Sequence, residues 1–419
     1  MTNKRSGRVL LALLWTGAGV TAWAQSSPQL TTLYSFTGGD DGKNPYNSVT
    51  VGKGGTLYGT TESGGTIENG VVFGLKPPAA PGESWTEEVL YNFDGPTGDF
   101  PSGPLVVGAN GVLFGAAQGQ ADVDLRPGLT NNGAAYSLTP PSGPGQPWEY
   151  TALYNFEAGQ GPTEIIMGAG GVLYGAAAIG PSDYSGSVFS LTPPASAGGA
   201  WGEATLYAFP AVDGAYLGPV AMGSGGVFYG AAWAPGGSTV FSLTPPASSG
   251  GDWTVTVLSQ LDQPLSGLTI GSGGTLYGTT LLGGASTACF GLSCGTVFAV
   301  APPASPGGAW TKKLLHSFHN GDGAYPSQGV LVGPGGVLYG AAQSGGEFGF
   351  GALYSLTPPA SPHGSWTETL LYSFTGGSDG SAPNGLAFGP GGVLYGTTIN
   401  GGNTAGCAGG CGTVFAFRP

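Results

Sequence analysis

Short apolar runs separated by glycine-rich turns fill this chain, and they return in a fixed order. The stretch GPGGVLYG at Gly333 to Gly340 recurs letter for letter at Gly389 to Gly396. A glycine cluster ahead of an apolar run has two readings, a phosphate-cradling loop at the start of a helix or a turn used repeatedly. Val-Leu-Tyr favours strands, and a single binding site would occur once. The aromatic of this LYG element instead stands at Tyr58, Phe114, Tyr174, Tyr229, Tyr277, Tyr339 and Tyr395, at intervals of 48 to 62 residues. The glycines are therefore turns, and the chain is seven copies of one unit.

Each copy continues with a VFSL-like run, from Val72–Leu75 in the first to Val414–Phe417 in the last. The Pro-Pro and Gly-Gly turns of TPPASPGG come next. They lead into a Trp (Trp85, Trp148, Trp201, Trp253, Trp310, Trp366) and an LYSF run. The unit reads as four strands, exemplified by Gly385–Phe388, Val393–Thr398, Thr413–Phe417 and Trp366–Phe374. Strict alternation in the last of these puts Trp366, Glu368, Leu370, Tyr372 and Phe374 on one face and Leu371 on the other. Apolar residues on both faces suit a sheet held between two neighbours. Four antiparallel strands per repeat of roughly 50 residues predict a β-propeller blade, with a short-runged solenoid as the competing all-β architecture.

The two ends predict how the ring closes. The seventh unit stops after three strands, while Leu30–Phe36 is an LYSF strand with nothing before it. The expectation is a seven-bladed propeller over residues 25–419, its last blade completed by the N-terminal strand. The blade units are 44–93, 100–156, 162–209, 216–261, 265–318, 326–374, and 382–419 joined by 30–36. The short first strand of each unit is expected at the axis, where a blade is narrowest.

The ordered pattern GxGGxLYGTTxxGG, GTVFxLxPP, W and LYSFxGGxDGxxP resembles the gloeo/verruco (GloVer) tandem-repeat family of secreted bacterial proteins, over nearly all of residues 30–419. The resemblance implies an exported, propeller-like repeat domain, often followed by a C-terminal sorting anchor. No anchor is visible after VFAFRP, so a soluble exported form is expected. The family brings no activity or catalytic residues to carry over.

Composition supports a folded chain rich in turns. The 84 glycines and 34 prolines are about 28% of the sequence, a fraction that without periodicity would suggest disorder. Here they are periodic, and mean hydropathy is +0.11 with 11% aromatics. Residues 1–24 read as a secretion signal: Lys4, Arg5 and Arg8, a short apolar run from Val9, then Ala22-Trp23-Ala24 with cleavage between Ala24 and Gln25. The apolar run is too short to span a bilayer. Its removal leaves seven basic residues against 23 acids, a net charge of −16. Such a surface excludes nucleic acid and anionic membranes as partners. A monomer, periplasmic or extracellular, without cofactor, metal site or membrane span, is expected.

Chemistry in such a scaffold resides in the loops that break the repeat. Of three histidines, His316 occupies the Tyr slot of an LYSF strand, His319 starts the following loop, and His363 replaces a turn glycine. None has a Ser or Cys partner by position. Gly376 to Gly380 fits G-x-S-x-G but lies between blades, not at a strand-to-helix elbow. Cys289 with Cys294, and Cys407 with Cys411, share equivalent loops and are expected as local disulfides in an exported chain. Asp40, Asp41, Asp99, Asp213, Asp322 and Asp379 lie between blades, mostly beside glycine. They suit Asp-Gly turns, or a ring of carboxylates around one mouth of the channel. The blade-two insert offers Asp122, Asp124 and Arg126. Trp233 alone among the mature tryptophans lies outside the repeat, where it could stack on a sugar ring. Together these features predict a non-catalytic binding or scaffold propeller recognising a glycan or protein through one face. The alternatives are a purely structural or adhesive repeat protein and a carbohydrate-active enzyme.

Overall fold

The computed structural model describes residues 29–419 except 81, 96–97, 120–132, 157–160, 178–185, 197, 211–215, 235–236, 249, 262–266, 290, 306 and 362–363. Strands and single 3-10 turns are the only regular elements among the described residues. Seven antiparallel sheets form seven blades, each in the order first, second, third, fourth strand. Blade four's first strand is split into Tyr216–Leu217 and Ala221–Met222. No helix among the described residues is long and apolar enough to cross a membrane.

The repeated glycine cluster is the turn between the first and second strands. In the Pro390–Gly392 turn, Gly391 has φ 71 and open space where a Cβ would stand. Asn110 holds the equivalent position with φ 57, a left-handed conformation that Asn tolerates better than most residues.

The glycine of LYG answers a different need. It pairs across to the aromatic of the third strand, as Gly59 to Phe73 and Gly340 to Tyr354. A Cβ on Gly340 would stand 2.3 Å from the Tyr354 ring. The ring therefore lies flat over the second strand, in space the glycine leaves empty. The aromatic of LYG reaches the next blade instead. Tyr58 meets Trp148 at 6.1 Å, Tyr277 meets Trp366 at 6.0 Å, and Tyr395 meets Trp85 at 6.2 Å. Blade seven has no such Trp, and Tyr339 packs on Phe388. Each blade-to-blade interface thus holds its own apolar cluster. At the seven–one seam it is built from Phe36, Val49, Leu57, Phe73, Leu75, Cys411 and Val414.

Strict alternation fails in the fourth strand. Leu353 pairs with Tyr372 and Tyr354 with Leu370, leaving Leu371 as a β-bulge. Leu353 and Tyr354 point to opposite faces, so Leu370 and Tyr372 do too. The same slip recurs in other blades, for example between Phe73 and Val72 opposite Val89 and Tyr91. It explains why both leucines of LLYSF are apolar.

The N-terminal strand, Gln29–Ser35, pairs antiparallel with Thr413–Arg418 and completes blade seven. Neighbouring first strands touch one another around the axis. Thr50 Oγ1 donates to the Leu105 carbonyl at 2.6 Å, Ser102 Oγ to Pro162 at 2.8 Å, and Thr269 Oγ1 to Val330 at 2.6 Å. Both expected disulfides are formed, each with Cα atoms 5.3 Å apart. Each closes a small ring, worth about 2 kcal/mol on the chain-entropy estimate. The Cys294 and Cys411 carbonyls accept the amides of Tyr325 and Asn44, which begin the next blade.

Candidate functional site at the channel mouth

The chain runs down each first strand and up each second. The loops between second and third strands and the loops between blades therefore share one face, and the 3-10 turns lie on the other. On the loop-bearing face a cavity of about 400 Å³ opens at the axis, lined from blades one, two, three, four and six. Ser102 and Thr163 lie at the beginnings of first strands, Asn47 and Gln328 three residues ahead of theirs, while Glu62 and Gln118 follow second strands. Tyr46, 42% exposed, stands at the rim.

Strained backbone recurs where the chain enters four of the blades, and one such residue, Phe100, lines the cavity. Asn44, Phe100, Tyr325 and Ala382 all have positive φ and all precede a proline, a position where side chain and ring crowd each other. Each amide is bonded to the preceding blade's loop, as Phe100 to the Asn69 carbonyl at 3.3 Å and Ala382 to Phe350 at 2.9 Å. These contacts hold the strain in place and fix where the first strands of blades one, two, six and seven begin.

Glu164 projects from the first strand of blade three, Pro162–Met167, where other blades carry Ser48, Pro104, Pro219, Gly267, Gly329 or Gly385. Burial pushes its carboxyl up to about 7, and burial also raises Glu62. The mouth therefore presents amides, hydroxyls and a carboxyl that is close to half protonated at neutral pH. Because the folded state holds the Glu164 proton more tightly than the unfolded chain, stability falls as pH rises from about 4.5 to about 7. Glu164→Gln is expected to raise Tm by roughly 1–3 °C at pH 8 and to leave it unchanged at pH 4.5. Thermal melts across that range check it, and an equal shift at both ends would refute the ionisation cost.

The interblade aspartates play a separate part, and none of those described lines the mouth. Asp41 accepts bonds from Tyr34 Oη at 2.9 Å, the Thr37 amide at 2.8 Å and Thr37 Oγ1 at 2.6 Å. Asp379 accepts the same set from Tyr372 and Thr375 at 3.0, 2.8 and 2.6 Å. Each locks the turn between two blades. Asp322 does so with His316 Nε2 at 2.9 Å and the His319 amide at 2.7 Å. Burial alone would raise the Asp322 carboxyl, but the bonds from His316 and His319 prevail and hold it below its usual value. Asp99 is buried and accepts from Asn69 Nδ2 at 2.6 Å. Asp40 is exposed.

Trp233 is the penultimate residue of the second strand of blade four, Phe228–Ala234, pairs with Tyr216 and is 37% exposed on the loop-bearing face. Asp122, Asp124, Arg126, Asp213 and His363 lie outside the described residues. Sequence reading missed Glu164 and Glu62. The signal for Glu164 was a charge at a position that is small, turn-forming or Pro in every other blade.

The family described as the Gloeobacter/Verrucomicrobia repeat matches residues 16–161 and 162–415. Comparison with curated protein sequences finds no match. Among solved structures, the chain is similar to the extracellular domain of BT4673 from B. thetaiotaomicron, described as a hybrid two component system. The TM-score is 0.52 at 11% identity, over 94% of this chain and 42% of that one. The corresponding domain of BT3049 from the same organism gives 0.50 at 11%, over 94% and 41%. The PQQ-bound form of an aldose sugar dehydrogenase from Streptomyces coelicolor gives 0.47 at 13%, over 76% and 93%. For the two B. thetaiotaomicron domains, at 11% identity, the likeness is one of fold.

Proposed function

Because this chain belongs to the Gloeobacter/Verrucomicrobia repeat family, we propose that it is an exported, non-catalytic binding propeller that takes a glycan at the axial mouth of its loop-bearing face. The observation that carries this reading is the composition of the mouth. Amide side chains (Asn47, Gln118, Gln328) and hydroxyls (Ser102, Thr163) converge on a cavity of about 400 Å³. Its carboxyls are Glu62 and Glu164, and Tyr46 at the rim supplies an aromatic face. Sugar hydroxyls both donate and accept, so amides, hydroxyls and a part-protonated carboxyl suit them, while an aromatic ring covers the apolar face of a pyranose. The mature charge of −16 favours neutral or cationic ligands over phosphorylated ones. Two disulfides agree with an oxidising compartment outside the cytoplasm.

The test is a glycan and polysaccharide array with residues 25–419, exported so that the disulfides form. Binding to a defined sugar is expected, weakened at least tenfold by Tyr46→Ala with Tm nearly unchanged. Trp233→Ala separates the two candidate surfaces. If it abolishes binding while Tyr46→Ala does not, the blade-four rim is the site and the axial mouth is not. Silence across the array would overturn the glycan reading.

A further inference from the structure

We propose that the seam between blades five and six is a binding site for a divalent transition metal such as Zn²⁺, held by His316, His319 and Asp322. The comparison that leads there is internal to the molecule. The Asp41 and Asp379 turns are locked by hydroxyls, Tyr34 with Thr37 and Tyr372 with Thr375. At the Asp322 turn both hydroxyl residues are replaced by imidazoles while the carboxylate stays. Two of the chain's three histidines thus converge on one aspartate, in the spacing His316-Ser317-Phe318-His319-Asn320-Gly321-Asp322. Imidazole is the ligand that a borderline metal selects, and a phenol or alcohol is a poor substitute.

The distances fit. Ligand atoms around a tetrahedral zinc stand about 3.3 Å apart, given bonds near 2.0–2.1 Å. His316 Nε2 lies 2.9 Å from Asp322 Oδ2, and His319 Nδ1 lies 3.6 Å from the same oxygen. All three ligand atoms fall within 4.8 Å of one another. His319 is exposed, so its ring can close the remaining distance without disturbing the core. His316 is fixed by edge-on contact with Phe318 at 4.8 Å, which aims Nε2 at the site. Metal would replace the hydrogen of the His316–Asp322 bond and keep both residues in place.

The ligand atoms that lie together are those three, and the fourth position faces solvent beside the exposed His319. Glu368 on the neighbouring blade has Oε1 buried without a hydrogen-bond partner, outside that group of ligand atoms. Glu87 holds the matching position at the seven–one seam, opposite Tyr34 and Asp41, and its Oε1 is also buried without a partner. Both seams therefore carry an interblade aspartate and a partly buried glutamate, but only the five–six seam sets two nitrogen ligands on the aspartate. That difference selects it as the metal site.

The test is calorimetric titration of the purified full chain with ZnCl₂ after EDTA treatment, supported by the visible absorption of bound Co²⁺. One equivalent of Zn²⁺ is expected to bind, with Tm raised by metal and lowered again by EDTA. His319→Thr is expected to weaken binding at least tenfold. The double variant His316→Tyr with His319→Thr rebuilds the lock of the other blades, and should lose binding while keeping the EDTA-treated Tm. If that double variant fails to fold, His319→Thr alone decides, since the side chain is exposed. Absence of stoichiometric binding in the parent chain would overturn the proposal, as would unchanged affinity in His319→Thr or binding retained by a folded double variant.

Discussion

Replacing Gly340 with valine is expected to abolish the cooperative thermal transition. A single added Cβ would already stand 2.3 Å from Tyr354 Cζ and Oη. Tyr354 cannot move away, because it is fully buried at the five–six interface with Phe318 against it at 4.9 Å. Overpacking costs about 1–3 kcal/mol where neighbours can yield. Here the second and third strands would have to part, and the cost approaches the 5–15 kcal/mol that holds a typical domain together. Gly340→Ala should cost about 3 kcal/mol. Tyr354→Leu in the same chain should return at least half of that loss, since the clash disappears with the ring. Circular dichroism melts of the parent, Gly340→Ala, Tyr354→Leu and the double variant measure the coupling. A Gly340→Ala chain melting like the parent would show that the glycine is dispensable and the explanation wrong.

Deleting Gln29–Ser35 should have an effect of similar size. The deletion strips blade seven of its fourth strand and leaves Thr413–Arg418 as an open edge. It also unanchors Phe36, which is fully buried and packs edge-on to Phe73 at 5.1 Å. Phe36→Ala alone is expected to cost about 3–5 kcal/mol. An exposed edge seeks another strand, so the truncated chain should associate on light scattering. A peptide of residues 28–37 added in trans should restore the monomer. A truncated chain that stays monomeric and melts at the parent temperature would mean that the ring does not depend on this clasp.

Repetition made the fold legible. Seven copies of one pattern average out local ambiguity, and the chain ends complement each other as strand four to strands one to three. The turn glycines were readable because φ near +70 has few alternatives to glycine. The bulge at Leu371 was not readable, since period-two alternation cannot register one extra residue and LLYSF looks like an ordinary apolar strand. The LYG glycine was recognised only as part of a motif, because its reason lies across the sheet in the third-strand aromatic. Of the site, the sequence drew attention to acids beside glycine, and of these Asp41, Asp322 and Asp379 are engaged within the turns. Glu164 escaped notice because its meaning depends on which strand lines the axis. His316 was correctly placed in a tyrosine slot, yet its approach to His319 depends on how tightly the turn folds back.

The clasp also sets when the molecule can be finished. Residues 29–35 meet residues 413–418, so closing the ring joins segments roughly 380 residues apart. Relative to a ten-residue loop this is about five doublings in length, about 3 kcal/mol at ~0.6 kcal/mol per doubling, which a seven-residue apolar cluster can offset. The delay is harder to offset, because distant partners find each other slowly. Until they do, the unfinished ring carries two complementary raw edges, and each fits a second copy as well as its own chain. The hazard for this protein is therefore concentrated in the interval before closure, and it grows with the number of copies assembling side by side.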